Sequence, residues 1–222
     1  MNKHKKPLII IGAVLIILVS ILAVFLRFDV FLPHNKIQII LPFAAQYDVE
    51  TKLIPMGETI YHPKPKDPNG HPGIDFVSQK PFPFIASADG TISKMVKGGS
   101  SDGTDIYISS GPYSIVYKEM DSNNMFVKLG QQVKQGDKIA MPDPKYDTNA
   151  TSGKSDSVHY STHWEFASAS PIQDRFCPLT YFTPDSLKRI DVIWSNVGQS
   201  DFNNMKQQFP NICNGDYSNR VD

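Results

Sequence analysis

The sequence predicts an all-β chain, with an antiparallel sandwich or barrel-like core entered through a transmembrane helix and left through a short, partly helical tail. Three observations carry that prediction. Between Ile74 and Met141, short runs rich in β-branched and aromatic residues alternate with turn signals, and no helical period of any length interrupts them. Residues 7–26 are 20 uncharged, mostly apolar residues, about what a helix needs to cross a bilayer's hydrocarbon. Helical spacing returns only after Pro184, where Leu187, Ile190 and Trp194 recur on one face. At 222 residues and 41% hydrophobic, the chain has room for one membrane segment and one ordinary core.

Residues 1–6 hold Lys3, Lys5 and Lys6, and only Arg27 closely follows the apolar run. This bias puts the N-terminus in the cytoplasm and the remainder outside, as a single-pass membrane protein with a periplasmic or extracellular domain. A cleavable signal would have a shorter apolar core and small residues at its cut site, whereas Arg27-Phe-Asp-Val-Phe-Leu32 follows here, so an uncleaved anchor is expected. Residues 28–222 carry 18 basic and 22 acidic residues, a net charge of −4. With no basic stripe, nucleic acid is not an expected partner.

Residues 27–54 read as a juxtamembrane connector, with Lys36–Leu41 as a first strand. The proline-rich stretch 61–73 cannot be helix or central strand and reads as a loop. Strands are then expected at Ile74–Val77, Phe82–Ala88, Thr91–Val96, Asp105–Ser109 and Tyr113–Glu119, followed by a hairpin from Val127 to Ile139 whose Gly130 and Gly136 suit turns of positive φ. Residues 142–157 are polar and read as a loop arriving at the next strand. In 158–166 the residues alternate: Val158, Tyr160, Thr162, Trp164 and Phe166 make one face, and His159, Ser161, His163 and Glu165 the other.

The last 40 residues, 183–222, form a C-terminal extension. A helix is expected from Pro184 to Trp194, capped by Asp185 or Ser186, with a second short helix near Asp201–Phe209. Cys177 and Cys213 are the only cysteines. As an even pair in an exported domain they are expected to form a disulfide; a zinc role is less favoured, because no histidine lies near either.

Two stretches carry chemistry. In His71-Pro-Gly-Ile-Asp75 a tight bend can turn both ligand-capable side chains toward one point, and His163 offers a third. Two imidazoles and one carboxylate leave an open fourth position on zinc, the ligand count of a catalytic site. Alone, each stretch reads more readily as a polar turn or a solvated strand face than as a ligand pair. His62, on the proline-rich loop, reads as surface and stays outside the ligand set, and His159 lies one strand step too far out.

Over residues 55–182 the chain resembles the lysostaphin/LytM-type zinc metalloendopeptidases, which cut peptide cross-links of bacterial peptidoglycan. The resemblance rests on His71-Pro-Gly-Ile-Asp75, on Thr162-His163-Trp-Glu-Phe166, on the glycine-punctuated segment 127–139 and on Pro178-Leu-Thr-Tyr-Phe182. It implies a LytM-type core with His71, Asp75 and His163 as zinc ligands. The family's two non-ligand catalytic histidines are replaced, at Tyr117-Lys118-Glu119 and at Ser161-Thr162-His163. Glu119 is the expected general base, sharing a strand face with Ile115 and Tyr117, and Ser161 the expected oxyanion donor. Two functions follow: an anchored zinc endopeptidase acting on peptidoglycan peptides, or a degenerate domain that binds the wall or regulates a cell-wall hydrolase. A third and remoter one, an envelope assembly accessory, rests on the hairpin's likeness to carrier-like domains.

Overall fold

Two alternating runs become the two longest strands, β7 (Tyr113–Met125) and β11 (Ser155–Ser168), which lie antiparallel with Trp164 opposite Tyr117 and Phe166 opposite Ile115. The structure, a computed structural model, describes residues 37–63, 70–98, 103–148, 155–170, 174–196 and 206–214. The apolar run 7–26 lies outside them. Among the described residues no helix is long and apolar enough to cross a membrane.

Around that pair the remaining strands are β1 (Thr51–Ile54), β2 (Met56–Gly57), β3 (Ile74–Ser78), β4 (Phe84–Ile85), β5 (Gly90–Lys97), β6 (Thr104–Ser110), β8 (Gln132–Val133), β9 (Lys138–Pro142), β10 (Pro144–Thr148) and β12 (Cys213–Asn214). Ten of the twelve strands form one antiparallel sheet in the order β1-β3-β11-β7-β6-β5-β8, with β10 on β11 and with β9 between β4 and the far end of β7. β2 and β12 pair parallel, apart from the sheet. Ile74, Phe76, Ile106, Ile108, Ile115 and Phe166 are buried as period-2 burial requires, and the Phe43 ring meets those of Phe76, Phe82 and Phe84 edge-on or tilted.

Several expected elements change form for local reasons. The Phe82–Ala88 strand shrinks to Phe84–Ile85, since Pro81 and Pro83 have no N–H for a ladder. Lys36–Leu41 gives no strand among its described residues; Ile39 makes a single bridge to Phe182, donating to Tyr181 O at 2.9 Å and accepting from Thr183 N. Gly130 and Gly136 do have positive φ, 80° and 93°, but the strands they punctuate do not pair with each other: β8 pairs with β5, and β9 with β4 and β7. Part of the expected 142–157 loop is the edge strand β10, where Lys145 faces His159 and a proline is tolerated at the first position.

The helix α1 (Pro184–Ser195) is capped by Thr183, whose hydroxyl accepts from Ser186 N, rather than by Asp185 or Ser186. Pro184 explains the offset, because its fixed φ suits the first helical position. Ile190, Ile193 and Trp194 join the same core as Ile39, Leu41 and Leu53, so connector and tail residues are packed into it. Arg189 clamps Asp48 with two nitrogens and donates to Phe43 O. Of the expected second helix, one helical turn at 206–208 is described. Cys177 and Cys213 are disulfide-bonded, with Cα atoms 6.0 Å apart, tying β12, which pairs with β2, to the segment before Pro178.

Candidate metal centre

Gly57, at the end of β2, exchanges backbone hydrogen bonds with His71: N to O at 2.8 Å one way and 2.7 Å the other. This bridge seats His71 beside the start of β3, and the β3–β11 register places Asp75 directly opposite His163. Gly73, between the two ligand-capable residues of the bend, passes so close to β11 that a Cβ there would collide with Trp164 O and lie 3.0 Å from His163 Nε2. A side chain at this position would displace the site.

Three atoms converge. His71 Nε2 lies 3.1 Å from Asp75 Oδ1 and 2.9 Å from His163 Nδ1, and His163 Nδ1 lies 2.7 Å from Asp75 Oδ1. The outer nitrogen of each ring is already committed. His71 Nδ1 donates to Pro55 O at 2.8 Å, and His163 Nε2 donates to Glu165 Oε1 at 2.9 Å. What faces the centre is therefore a carboxylate and two imidazole nitrogens, an arrangement that needs a cation in its middle, either a proton or a metal ion. Tetrahedral zinc with ligands at about 2.0–2.1 Å would set them about 3.3 Å apart, so the cluster fits after a small opening.

The electrostatics agree. Burial pushes the Asp75 carboxyl up, but the charge of His71 and hydrogen bonds from both histidines override it and hold Asp75 well below the usual carboxylate range. Burial alone would lower His163; its hydrogen bonds to Asp75 and Glu165 raise it to about 9. In the metal-free protein the proton on His163 is the cation that the centre requires.

Glu165, 1% exposed, is held charged in spite of its burial by His163, Lys118 and Arg175. Arg175 Nε donates to its Oε2 at 2.9 Å, and Lys118 Nζ lies 2.6 Å from Oε1. Sequence reasoning placed Glu165 on the polar face of its strand but gave it, Lys118 and Arg175 no role. Its spacing two residues after His163 on one strand face was the available signal.

A groove of about 290 Å³ opens on the cluster, walled by His62, Pro72, Lys118 and Glu119. Glu119 does not share the core face with Ile115 and Tyr117. Lys118 and Glu119 both fall opposite Asp105 in a bulge between the Thr104–Met120 and Ile106–Tyr117 pairs, and Glu119, at φ 65°, is the one non-glycine with positive φ among the described residues. The bulge turns its carboxylate to the groove, where Oε2 accepts from Ser161 Oγ at 3.3 Å and lies 3.7 Å from Lys145 Nζ. Ser161 itself is not among the residues that wall the groove. His62, expected as plain surface, stacks on His71 with ring centroids 5.1 Å apart, and His159 is paired with Lys145 of β10 and is not among the residues that wall the groove.

Residues 69–171, which include all three converging side chains, match peptidase family M23. The segment is an M23 peptidase-family domain. An uncharacterized metalloprotease of Haemophilus influenzae is 31% identical over 103 residues, 46% of this chain and 20% of that protein. The chain thus spans about a fifth of that relative's length. Among solved structures, the SpoIIQ–SpoIIIAH pore forming complex aligns at 19% identity and a TM-score of 0.45, covering 71% of this chain and 98% of the other. Helicobacter pylori Csd3 aligns at 20% and 0.47, covering 66% and 35%. Among the described residues the histidines that wall the groove are His62, His71 and His163, which fits the replacement of two histidines expected from the sequence at Glu119 and Ser161.

Proposed function

We propose that the M23 domain is a zinc-dependent endopeptidase that acts on the peptide cross-links of peptidoglycan, held at the outer face of a membrane by residues 7–26. His71 Nε2, Asp75 Oδ1 and His163 Nδ1 hold the metal, whose role when bound is to acidify water and polarise the scissile carbonyl. Glu119 takes the proton from the attacking water and returns it to the leaving amine. The observation that carries this reading is the convergence of the three atoms at the floor of an open groove, with both outer ring nitrogens already fixed by Pro55 and Glu165.

A second reading, a domain that binds the wall or regulates a cell-wall hydrolase without turnover, draws support from the tie of Ser161 and Lys145 to the groove carboxylate. One experiment separates the two. The full chain, purified in detergent, is measured for bound zinc and for release of peptide fragments from purified peptidoglycan, alongside His163→Ala and Glu119→Gln. Stoichiometric zinc with fragments that both variants abolish supports the peptidase. Zinc without fragments supports the binding or regulatory domain, and no zinc refutes the ligand assignment.

A further inference from the structure

Peptide hydrolysis builds negative charge on the carbonyl oxygen, and the histidines that lysostaphin-type enzymes have beside the ligands are replaced here by Glu119, an anion, and by Ser161, which faces Glu119. We infer that Lys118 is the catalytic residue that stabilises this oxyanion. The inference rests on the peptidase reading above.

Lys118 is the only lysine or arginine among the described residues that wall the groove. Its ammonium lies 2.6 Å from Glu165 Oε1, the oxygen that also accepts from His163 Nε2, so a single carboxylate oxygen joins it to a ring of the metal cluster. The side chain is 19% exposed, mostly withdrawn from water but open on the groove side. A preorganised donor at such a site gains strength from the low local dielectric and needs no reorganisation during the reaction. An ammonium carries three donors, and Glu165 engages one, leaving others for a substrate oxygen.

Lys118 helps to hold Glu165 charged, but it is not alone in doing so. Glu165 Oε2 is held by Arg175 Nε at 2.9 Å and Oε1 by His163 Nε2. Three groups of positive character surround one carboxylate, and of the three Lys118 and His163 line the groove. The bulge at Lys118 and Glu119 thus places a cation and an anion side by side on one wall.

The step balances without any change in Lys118. Water's oxygen bonds to the carbonyl carbon as one of its protons passes to the Glu119 carboxylate. The carbonyl π pair moves onto oxygen, where the Lys118 ammonium donates a hydrogen bond. On collapse the C–N bond breaks, the nitrogen leaves with the proton from Glu119, and the products are a carboxylic acid and an amine. Lys118 keeps its own protons throughout.

The test compares the full chain with Lys118→Met and Lys118→Arg, reading bound zinc, kcat and KM on a peptidoglycan-derived peptide, and the affinity of a phosphinic pseudopeptide that mimics the tetrahedral state. Lys118→Met is expected to keep its zinc and to hold KM within about twofold, while kcat falls about 10²–10³-fold, as on loss of one oxyanion donor. Phosphinate affinity should fall in parallel, and Lys118→Arg should recover part of both. If Lys118→Met cleaves and binds the phosphinate as the parent does, or if its kcat falls only in step with lost zinc, the inference is overturned while the peptidase reading stands. If the parent chain itself binds zinc but neither cleaves nor takes the phosphinate, the peptidase reading fails and this inference with it.

Discussion

Glu165 Oε1 accepts from His163 Nε2 at 2.9 Å, and that single contact decides which nitrogen of the ring faces Asp75. Glu165→Gln keeps the shape but removes the charge that fixes the ring and its basicity. Outer-sphere partners of this kind are worth about 10–100-fold in metal affinity. Competition with a chromogenic chelator should show zinc affinity lower by that factor, and unchanged affinity would remove Glu165 from the site.

The metal and a proton compete for His163. Its folded pKa of about 9 lies above the ordinary histidine value of about 6.5, so protonation stabilises the metal-free fold. That stabilisation is full below about pH 6.5 and fades as pH rises through 9. The melting temperature of the metal-free chain should therefore fall between pH 7 and 9.5, and His163→Gln should flatten that decline. Zinc must displace the same proton, so binding at pH 7.5 should release about one proton and tighten as pH rises. Calorimetry in buffers of differing ionisation enthalpy counts the proton directly.

Which parts of this site were legible in the sequence follows from how local each cause is. His71 and Asp75 sit in one five-residue bend, and His163 lies on a strand whose alternation is plain to read. Chain punctuation is equally local, which is why Gly130 and Gly136 were placed correctly while the partners of their strands were not; pairing of β8 with β5 is a long-range event. Arg175 reaches Glu165 through a loop that bridges Ala167, and no short-range pattern announces it. The bulge at Glu119 matters most, because strict alternation would have sent that carboxylate into the core beside Tyr117.

Gly73 offers a test of how tightly the bend is held. Gly73→Ala puts a methyl against Trp164 O and His163 Nε2, where neither backbone nor ligand ring can yield cheaply. Overpacking of this kind costs about 1–3 kcal/mol. The variant should melt lower and lose most of its zinc, and normal zinc content in a folded Gly73→Ala would show that His163 does not need its present position.

Glu119 shows whether backbone strain at the groove serves a side chain. At φ 65° a Cβ is strained whichever residue carries it, and only glycine escapes. Glu119→Ala and Glu119→Gly both delete the carboxylate with its contacts to Ser161 and Lys145, so the pair differs chiefly in the Cβ. At an ordinary strand position glycine would be the less stable of the two by about 0.5–1 kcal/mol. Here the order should reverse, with Glu119→Gly more stable than Glu119→Ala by about 1 kcal/mol in urea unfolding. Both variants should lose peptide hydrolysis to the same extent. That combination would mean the chain keeps a strained, non-glycine residue at this bulge for the carboxylate it presents, whereas equal stability would locate the reason for Glu119 elsewhere than in its backbone.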